Sequence, residues 1–286
     1  MTGADTGVTD EVRALIRTAL DEDLRYGPDI TTVATIPADA VVDAAIVSRD
    51  HGVVAGVGVA RAVFDEVIGA DRYEVTAELP DGHRVEPGQV VLALRAPTRE
   101  LLTAERTALN LLCHLSGIAT ATSAWVEAVE GTGAAIRDSR KTLPGLRFLQ
   151  KAAVRAGGGV NHRMGLGDEA LIKDNHVAAV GSVAAALQAV REAAPDLPVE
   201  VEVDSLEQLD EVLELKPTLV LLDNFPLWAT QMAVTRRNTR SPETKLESSG
   251  GLTLDVAADY AKTGVDYLAV GALTHSVTVL DLGLDM

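Results

Sequence analysis

The spacing of apolar residues changes along this chain. Residues 9–24 place valine, leucine and isoleucine on one helical face, which predicts a helix capped by Thr9 or Asp10. Residues 39–94 instead show short strand-like runs separated by turns, with a helical stretch at 59–68. This second pattern predicts an α+β layer domain. Its predicted strands are 44–47, 52–55, 73–78 and 90–94.

A long helix is predicted to begin at Pro97 and Thr98, because leucines recur at helical spacing up to Leu115. We expect it to bend or break at the Ser116–Gly117 pair. A second helix then runs to about residue 130 and ends at two glycines. Arg106 lies in the middle of the first helix, where the pattern alone favours an exposed surface arginine.

Beyond Gly133 short apolar runs alternate with helical stretches. This alternation predicts a parallel sheet with connecting helices. Six strand-helix units could close, or nearly close, a (β/α) barrel; a doubly wound sheet is the alternative. The predicted strands are 134–137, 169–173, 199–203, 219–222, 245–247 and 267–270, and the predicted helices are 144–156, 182–194, 205–213, 227–237 and 253–262.

Composition narrows the class of protein. The chain has 286 residues, a net charge of −17 and few aromatic residues, so nucleic acid is not an expected partner. It holds no apolar run of about 18 residues, and its first residues are polar, unlike a secretory signal. The single Cys113 excludes an internal disulfide and a cysteine metal cluster. We expect a soluble cytoplasmic globular protein that does not enter a membrane.

One stretch runs against the overall acidity. Residues 137–173 contain eight lysines and arginines but only three acidic residues. The run is interrupted by Gly157–Gly159 and by a Gly165–Gly167 turn, which favours folded loops over one charged helix. A small polyanionic ligand held in a pocket would explain why an acidic protein gathers these cations.

Charged residues also collect at the carboxyl ends of the predicted strands, where barrel enzymes place their active sites. In strand 199–203 the valines share one face, so Glu200, Glu202 and Asp204 share the other. If the valines meet the helices, these carboxylates point into the barrel and need neutralisation by lysine, arginine or Mg²⁺.

Two glycine-containing turns suit phosphate binding. Ser248–Gly251 precedes a predicted helix, and Gly271 follows the last predicted strand. Exposed backbone N–H groups at such positions can hold a phosphate. The histidines are scattered without a metal-binding motif, and we expect His114, His176 and His275 to be structural.

Taken together, the motifs resemble one family. These are TAERTALNLLCHLSGIAT, RDSRKTLPGLR, GGGVNHRMGL, LIKDNH, VEVDSLEQL, LLDNF, ESSGG and VGALTH, in this order. They resemble quinolinate phosphoribosyltransferase, a type II phosphoribosyltransferase of NAD synthesis, over almost the whole chain. The resemblance implies an N-terminal α/β sandwich domain, 1–116, and an open, incomplete α/β barrel of about six parallel strands, 117–286. It leaves open whether the final residues return to the first domain.

The resemblance also implies the reaction and the site. Quinolinate and 5-phosphoribosyl 1-pyrophosphate would give nicotinate mononucleotide, pyrophosphate and CO₂ with Mg²⁺ in a homodimer, a higher oligomer being left open. The implied catalytic residues are Lys141, Glu202 and Asp223, the last two also as ligands of Mg²⁺ or of the ribose hydroxyls. The implied substrate-binding residues are Arg106 from the other subunit, Ser139, Arg140, Lys141, His162, Arg163, Lys173, Glu202, Asp223, Ser249, Gly250, Gly251, Val270, Gly271 and Ala272.

Three other functions fit parts of the pattern. Lys173 at a strand end beside carboxylates would suit a Schiff-base aldolase. A non-catalytic binder of anionic metabolites would also need a cationic pocket. A related transferase acting on another acid, such as nicotinate, is the nearest alternative, although paired arginines at Arg140 and Arg163 suit two carboxylates better than one.

Overall fold

The computed structural model describes residues 8–286, and the first seven residues, part of the stretch used to argue against a secretory signal, lie outside them. The described helices are α1 Asp10–Leu24, α2 Ile30–Thr35, α3 Val57–Val67, α4 Thr98–Ala128, α5 Arg147–Ala156, α6 Asp174–Val180, α7 Val183–Ala193, α8 Leu206–Glu214, α9 Leu227–Arg240, α10 Leu254–Ala261 and α11 Ala272–His275. The described strands are β1 Val41–Ser48, β2 Gly52–Val53, β3 Glu74–Glu78, β4 Arg84–Val85, β5 Val90–Pro97, β6 Ala135–Arg137, β7 Ala170–Ile172, β8 Val199–Val203, β9 Leu219–Asp223, β10 Lys245–Ser249, β11 Tyr267–Ala269 and β12 Leu282–Asp285.

The chain divides into two compact units. The first comprises Met1–Ala121, Pro144–Gly158 and Ser276–Met286, and the second Thr122–Leu143 and Gly159–His275. Helix α5 and strand β12 thus belong to the same unit as the N-terminal strands.

The first unit is built on a four-stranded antiparallel sheet in the order β12-β1-β5-β3. Helix α1 begins where predicted, since the Thr9 side chain accepts a hydrogen bond from the backbone N–H of Val12. Strand β12 was not predicted, because only pairing with β1 identifies its four residues as a strand.

Of the bend or break predicted at Ser116–Gly117, the break is wrong, because helix α4 continues through both residues to Ala128. A Cβ atom at Gly117 would lie 2.3 Å from the carbonyl oxygen of Thr278. This glycine therefore allows a close approach of two chain segments and does not end the helix.

The second unit is a six-stranded sheet in the order β6-β11-β10-β9-β8-β7, and all of its strands are parallel. From β7 to β11, strands that are consecutive in sequence lie side by side in the sheet. The first strand, β6, pairs with the last one, β11. This order is that of an open barrel and not of a doubly wound sheet. The sheet is not closed, since no ladder joins β6 to β7 among the described strands.

Strand β8 has the predicted bounds and mostly the predicted faces. Its valines Val199, Val201 and Val203 are buried, and Glu200 is fully buried. Asp204 departs from the prediction, because the strand ends at Val203 and Asp204 is exposed. Its backbone N–H donates to the side chain of Gln208 in the following helix, α8.

In the part of the chain from residue 8 onwards, none of the helices is both long and apolar enough to cross a membrane.

Candidate active site

A pocket of about 610 Å³ opens at the carboxyl ends of the parallel strands in the second unit. Every strand of the sheet, or the loop that follows that strand, contributes residues to the wall of the pocket. In a parallel sheet these ends meet at one edge, which is why residues far apart in sequence converge here. The lining residues are Ser139, Arg140, Lys141, His162, Arg163, Leu171, Lys173, Glu202, Leu221, Asp223, Glu247, Ser249, Gly250, Gly251, Leu252, Ala269, Val270, Gly271, Ala272 and His275.

Four cationic side chains line this pocket: Arg140, Lys141, Arg163 and Lys173. Burial, together with the neighbouring Arg140, lowers the pKa of the Arg163 guanidinium. The Nε atoms of both arginines are buried, and neither has a hydrogen-bond partner among the described residues. Buried donors of this kind are costly to leave unsatisfied, so they favour a site that binds an anion.

Two partly exposed carboxylates, Glu202 and Asp223, line the same pocket. Glu202, at the end of β8, forms an ion pair with Lys173. Asp223 ends β9 and accepts a hydrogen bond of 2.9 Å from the side chain of Asn224. Both carboxylates offer the hard oxygen ligands that Mg²⁺ prefers, and both remain partly accessible to solvent.

The loops after β10 and β11 are shaped by glycine. Gly250 and Gly251 have φ angles of +93° and +60°, a region that other residues rarely adopt. The N–H group of Asn224 donates to the carbonyl of Ser249 at 2.8 Å, which joins the loops after β9 and β10. A Cβ atom on Gly271 would lie 3.0 Å from Cδ of Lys141, so glycine leaves room for this lysine.

A buried layer of charged groups underlies the pocket. Arg137, at the end of β6, donates to Glu247 at 2.7 Å and to Glu169 at 3.2 Å. Nε2 of His162 lies 2.9 Å from a carboxylate oxygen of Glu200. Burial raises the pKa of Glu200 to about 7. Burial, with the added effect of Glu200, also raises the pKa of Glu247 to about 7.

The structure brings almost all of the predicted site residues to one place. Arg106 is the exception: it lies on α4 in the first unit, with 65% of its side chain exposed. The basic run also divides, because three of its members lie on helix α5 of the first unit and do not line the pocket. The predicted residues that line the pocket are Ser139, Arg140, Lys141, His162, Arg163, Lys173, Glu202, Asp223, Ser249, Gly250, Gly251, Val270, Gly271 and Ala272.

Sequence reasoning missed two polar residues of the lining. His275, which we expected to be structural, borders the pocket on the short helix α11. Glu247 was read only as part of a strand. The signal available for Glu247 was a charged residue in the middle of a predicted parallel strand, a position that is normally buried. The other two histidines have protein partners, His114 beside Gln150 and His176 at the start of α6.

Fold and site together define a class: an open-barrel α/β protein with a pocket for anionic ligands at the strand ends. Comparison with known proteins then names the family. The family model described as "Quinolinate phosphoribosyl transferase, N-terminal domain" matches residues 29–116, and its C-terminal counterpart matches residues 118–285. The chain belongs to the quinolinate phosphoribosyltransferase family.

Individual relatives agree with this assignment. Nicotinate-nucleotide pyrophosphorylase [carboxylating] of Mycobacterium leprae is 67% identical over 277 residues, which are 97% of this chain and 98% of that protein. The probable enzyme of the same name in Bacillus subtilis is 37% identical, over 96% of this chain and 93% of its own. A solved structure of the nicotinate-nucleotide pyrophosphorylase from Francisella tularensis, 36% identical, superimposes with a TM-score of 0.91 over 96% of each chain.

Proposed function

We propose that this chain transfers the phosphoribosyl group of 5-phosphoribosyl 1-pyrophosphate to quinolinate, giving nicotinate mononucleotide, pyrophosphate and CO₂. The observation that carries the proposal is the convergence of Arg140, Arg163, Lys141 and Lys173 on one pocket of an otherwise acidic protein. Membership of the family supports the same reaction. Both substrates are polyanions, so a cationic pocket suits them.

Quinolinate carries two carboxylates on neighbouring ring carbons. Arg140 and Arg163 are suited to them, because a guanidinium can pair with a carboxylate through two parallel hydrogen bonds. Lys173 and His162 complete the quinolinate side of the pocket. Lys173 is already ion-paired with Glu202, whereas a Schiff-base mechanism needs a free amine.

The sugar donor lies along the loops after β10 and β11 in this proposal. The backbone N–H groups of Ser249, Gly250, Gly251 and Gly271 hold its 5-phosphate, and Lys141 bridges toward the pyrophosphate. Ser139 lies beside Lys141, and its hydroxyl accepts a hydrogen bond of 3.1 Å from the Lys141 backbone. Val270 and Ala272 flank Gly271 on the same wall.

Two carboxylates of the pocket, those of Glu202 and Asp223, are the groups that would hold Mg²⁺ or the ribose hydroxyls. Their hard oxygen atoms fit this ion. When bound, Mg²⁺ supplies positive charge that neutralises the pyrophosphate as it leaves. The pocket carboxylates themselves favour the positive charge that develops on the ribose.

The chemistry needs no nucleophilic side chain. The pyridine nitrogen forms a bond to C1 of the ribose while the bond from C1 to the pyrophosphate oxygen breaks, through an oxocarbenium-like state. The 2-carboxylate then leaves as CO₂; the ring cation stabilises the electron pair left on carbon, and that carbon takes up a proton. The protein therefore acts by positioning and by electrostatic stabilisation.

The assembly proposed is a homodimer in which the partner subunit's Arg106 completes the quinolinate site, with a higher oligomer left open. The exposed side chain of Arg106 on α4 supports this proposal, since an arginine at a shared site must be available to another chain. The location proposed is the cytoplasm, which suits a biosynthetic enzyme with a 67% identical bacterial relative.

Turnover of carboxyl-labelled quinolinate tests the reaction. Purified protein incubated with quinolinate, 5-phosphoribosyl 1-pyrophosphate and Mg²⁺ should release CO₂ and form nicotinate mononucleotide in equal amounts. Nicotinate as the acceptor is the matched control, and it should react much more slowly because one carboxylate is missing. A folded protein that releases no CO₂, or that prefers nicotinate, would contradict the proposal.

A further inference from the structure

A chain of hydrogen bonds links the interior of the barrel sheet to a cation of the pocket. Arg137 donates to the Glu247 carboxylate at 2.7 Å and to the Glu169 carboxylate at 3.2 Å. The backbone carbonyl of Glu169 in turn accepts a hydrogen bond of 2.9 Å from the guanidinium of Arg163. Glu247 is fully buried, and only 10% of the Arg137 side chain is exposed.

The ring of His162 is held by the same buried groups. Its Nδ1 accepts a hydrogen bond of 2.7 Å from the backbone N–H of Arg163, so the proton of the neutral ring lies on Nε2. That Nε2 atom lies 2.9 Å from Glu200 and 3.8 Å from Glu247. The ring therefore lies among the buried carboxylates, with Nδ1 3.9 Å from Glu169, and its Nδ1 also accepts the hydrogen bond from the backbone of Arg163.

The arrangement has the features of a positioning device. A buried ion pair adds little net stability compared with apolar packing of similar volume, so stability alone does not account for it. One carboxylate of the cluster formed by His162, Glu169 and Glu200 already has a cationic partner, because Arg137 pairs with Glu169. Both ends of the hydrogen-bond chain, Glu247 and Arg163, line the pocket.

We propose that Glu247, acting through Arg137 and Glu169, is a positioning residue that sets the Arg163 guanidinium for a substrate carboxylate. The proposal rests on the proposed function, because it assigns Arg163 to quinolinate. Glu247 does not touch the reacting atoms in this role. It holds Arg137 in place, Arg137 holds the carboxylate of Glu169, and the carbonyl of Glu169 orients Arg163.

The test is Glu247→Gln, which keeps the size of the side chain and removes its charge. We expect the KM for quinolinate to increase about tenfold or more, because Arg163 loses its fixed orientation. The KM for 5-phosphoribosyl 1-pyrophosphate should change less than about twofold, since the glycine loops are not part of the chain of bonds. Equal changes in both KM values, or no change in either, would overturn the proposal.

Asp266→Asn is the matched control. Asp266 accepts a hydrogen bond of 2.8 Å from the largely buried Arg237 in the same unit, and neither residue lines the pocket. This variant should lower the melting temperature and leave both KM values within about twofold of the parent. A quinolinate KM that increases equally in Asp266→Asn would show a general effect of losing one partner of an ion pair in this unit and would contradict the proposal.

A second variant guards against misfolding. Glu169→Gln keeps the backbone carbonyl that Arg163 uses, and 12% of its side chain is exposed, so it disturbs the core less. Calorimetry should show that Glu169→Gln binds quinolinate more weakly than the parent. When Glu169→Gln is combined with Arg163→Lys, the fold-loss of quinolinate affinity should be smaller than the product of the two separate fold-losses. Fully multiplicative effects would count against coupling.

The parent chain is measured first, so that the two proposals fail separately. A parent without turnover contradicts the proposed function. A parent that turns over, with a folded Glu247→Gln variant unaffected in quinolinate KM, contradicts only the positioning role.

Discussion

The cations of the pocket differ in how far the protein already satisfies them. Arg137, which does not line the pocket, is largely buried and already pairs with both Glu247 and Glu169. Arg140 and Arg163 each keep a buried Nε without a partner in the described structure. An arginine with unused donors gains most when an anionic ligand arrives, and we therefore assign the ligand contacts to these two.

Replacing Arg140 should therefore impair catalysis strongly. We expect Arg140→Ala to lower kcat/KM by about 2–4 kcal/mol of transition-state binding, because a substrate carboxylate loses its partner in a partly buried site. We expect Lys173→Ala to lower kcat/KM by a similar amount. Arg240→Ala, at a surface ion pair with Asp210, is the control and should change kcat/KM little. Steady-state kinetics that show parent values for Arg140→Ala would remove it from the site.

Glu247 should also leave a signature in the pH dependence of stability. Its pKa rises from 4.5 to about 7 on folding, chiefly through burial and then through Glu200, while Arg137 and His162 oppose the rise. The folded state then holds this proton more tightly than the unfolded state. The stabilisation is complete below about pH 4.5 and is lost as the pH increases through 7.

Relative to Glu247→Gln, the parent should therefore lose up to about 3 kcal/mol of unfolding free energy between pH 4.5 and 7. Urea unfolding followed by tryptophan fluorescence measures this, since Trp125 and Trp228 both lie in the second unit. Glu214→Gln, which removes an exposed carboxylate, is measured alongside as the control. A parallel pH dependence of the parent and Glu247→Gln would contradict the shifted titration of Glu247.

At the level of elements, the loops after β9 and β10 act as one unit. Gly250 has a φ of +93°, and a Cβ atom there would lie 2.3 Å from the side-chain oxygen of Asn224. Asn224 itself adopts a positive φ of 54°, and its backbone N–H donates a hydrogen bond to the carbonyl of Ser249. The backbone of each loop thus depends on the shape of the other.

Gly250→Ala should consequently affect both stability and donor binding. We expect the free energy of unfolding to fall by about 1–2 kcal/mol, because alanine is strained at this backbone conformation. The KM for 5-phosphoribosyl 1-pyrophosphate should increase severalfold, because the amides that hold the phosphate shift. Gly131→Ala is the control: its φ is +77° with open space around the added atom, so stability should fall without a change in KM. An unchanged donor KM in Gly250→Ala would argue against a phosphate site in this loop.

The elements themselves were predicted with uneven success for identifiable reasons. Strand β8 was found at its true bounds, because alternation of valine with acidic residues is a local signal. The break predicted in α4 was wrong, because the small residues that disfavour a helix locally are used here for close packing against Thr278. The short helices α2, α6 and α11 carry too few residues for a periodic pattern and were missed.

At the scale of the whole molecule, the chain passes between its two units more than once. The basic run from Arg137 to Lys173 is continuous in sequence, yet its middle third forms α5 in the first unit. The cations that line the pocket come from both ends of the run, Arg140 and Lys141 on one side and Arg163 and Lys173 on the other. Local charge density predicted an anion pocket but not which of the eight cations would reach it.

A mixing experiment tests the proposed sharing of sites between subunits. An Arg106→Ala chain and an Arg140→Ala chain should each be nearly inactive, since both cations are assigned to quinolinate. Heterodimers of the two should regain activity, because one of their sites receives both intact arginines. Two differently tagged chains, purified by both tags, provide the heterodimer for the assay. A verified heterodimer without recovered activity would contradict the shared site.

The sequence by itself determined the class of fold and most of the chemistry. Strand and helix periodicity is a local property, and it placed the parallel strands and the polar residues at their ends. The resemblance of ordered motifs then indicated the family, which the comparisons confirmed. Its expectations for Mg²⁺, the dimer and individual residue roles stay predictions.

Only the tertiary structure decided which of these groups meet. That β6 pairs with β11, that β12 joins β1, and that α5 lies in the first unit are consequences of long-range pairing, which no local pattern encodes. The same pairing buried Glu247 against Arg137 and turned an unremarkable strand residue into part of the site. The charge of a side chain can be read from sequence, but its pKa and its partners depend on what the fold packs around it.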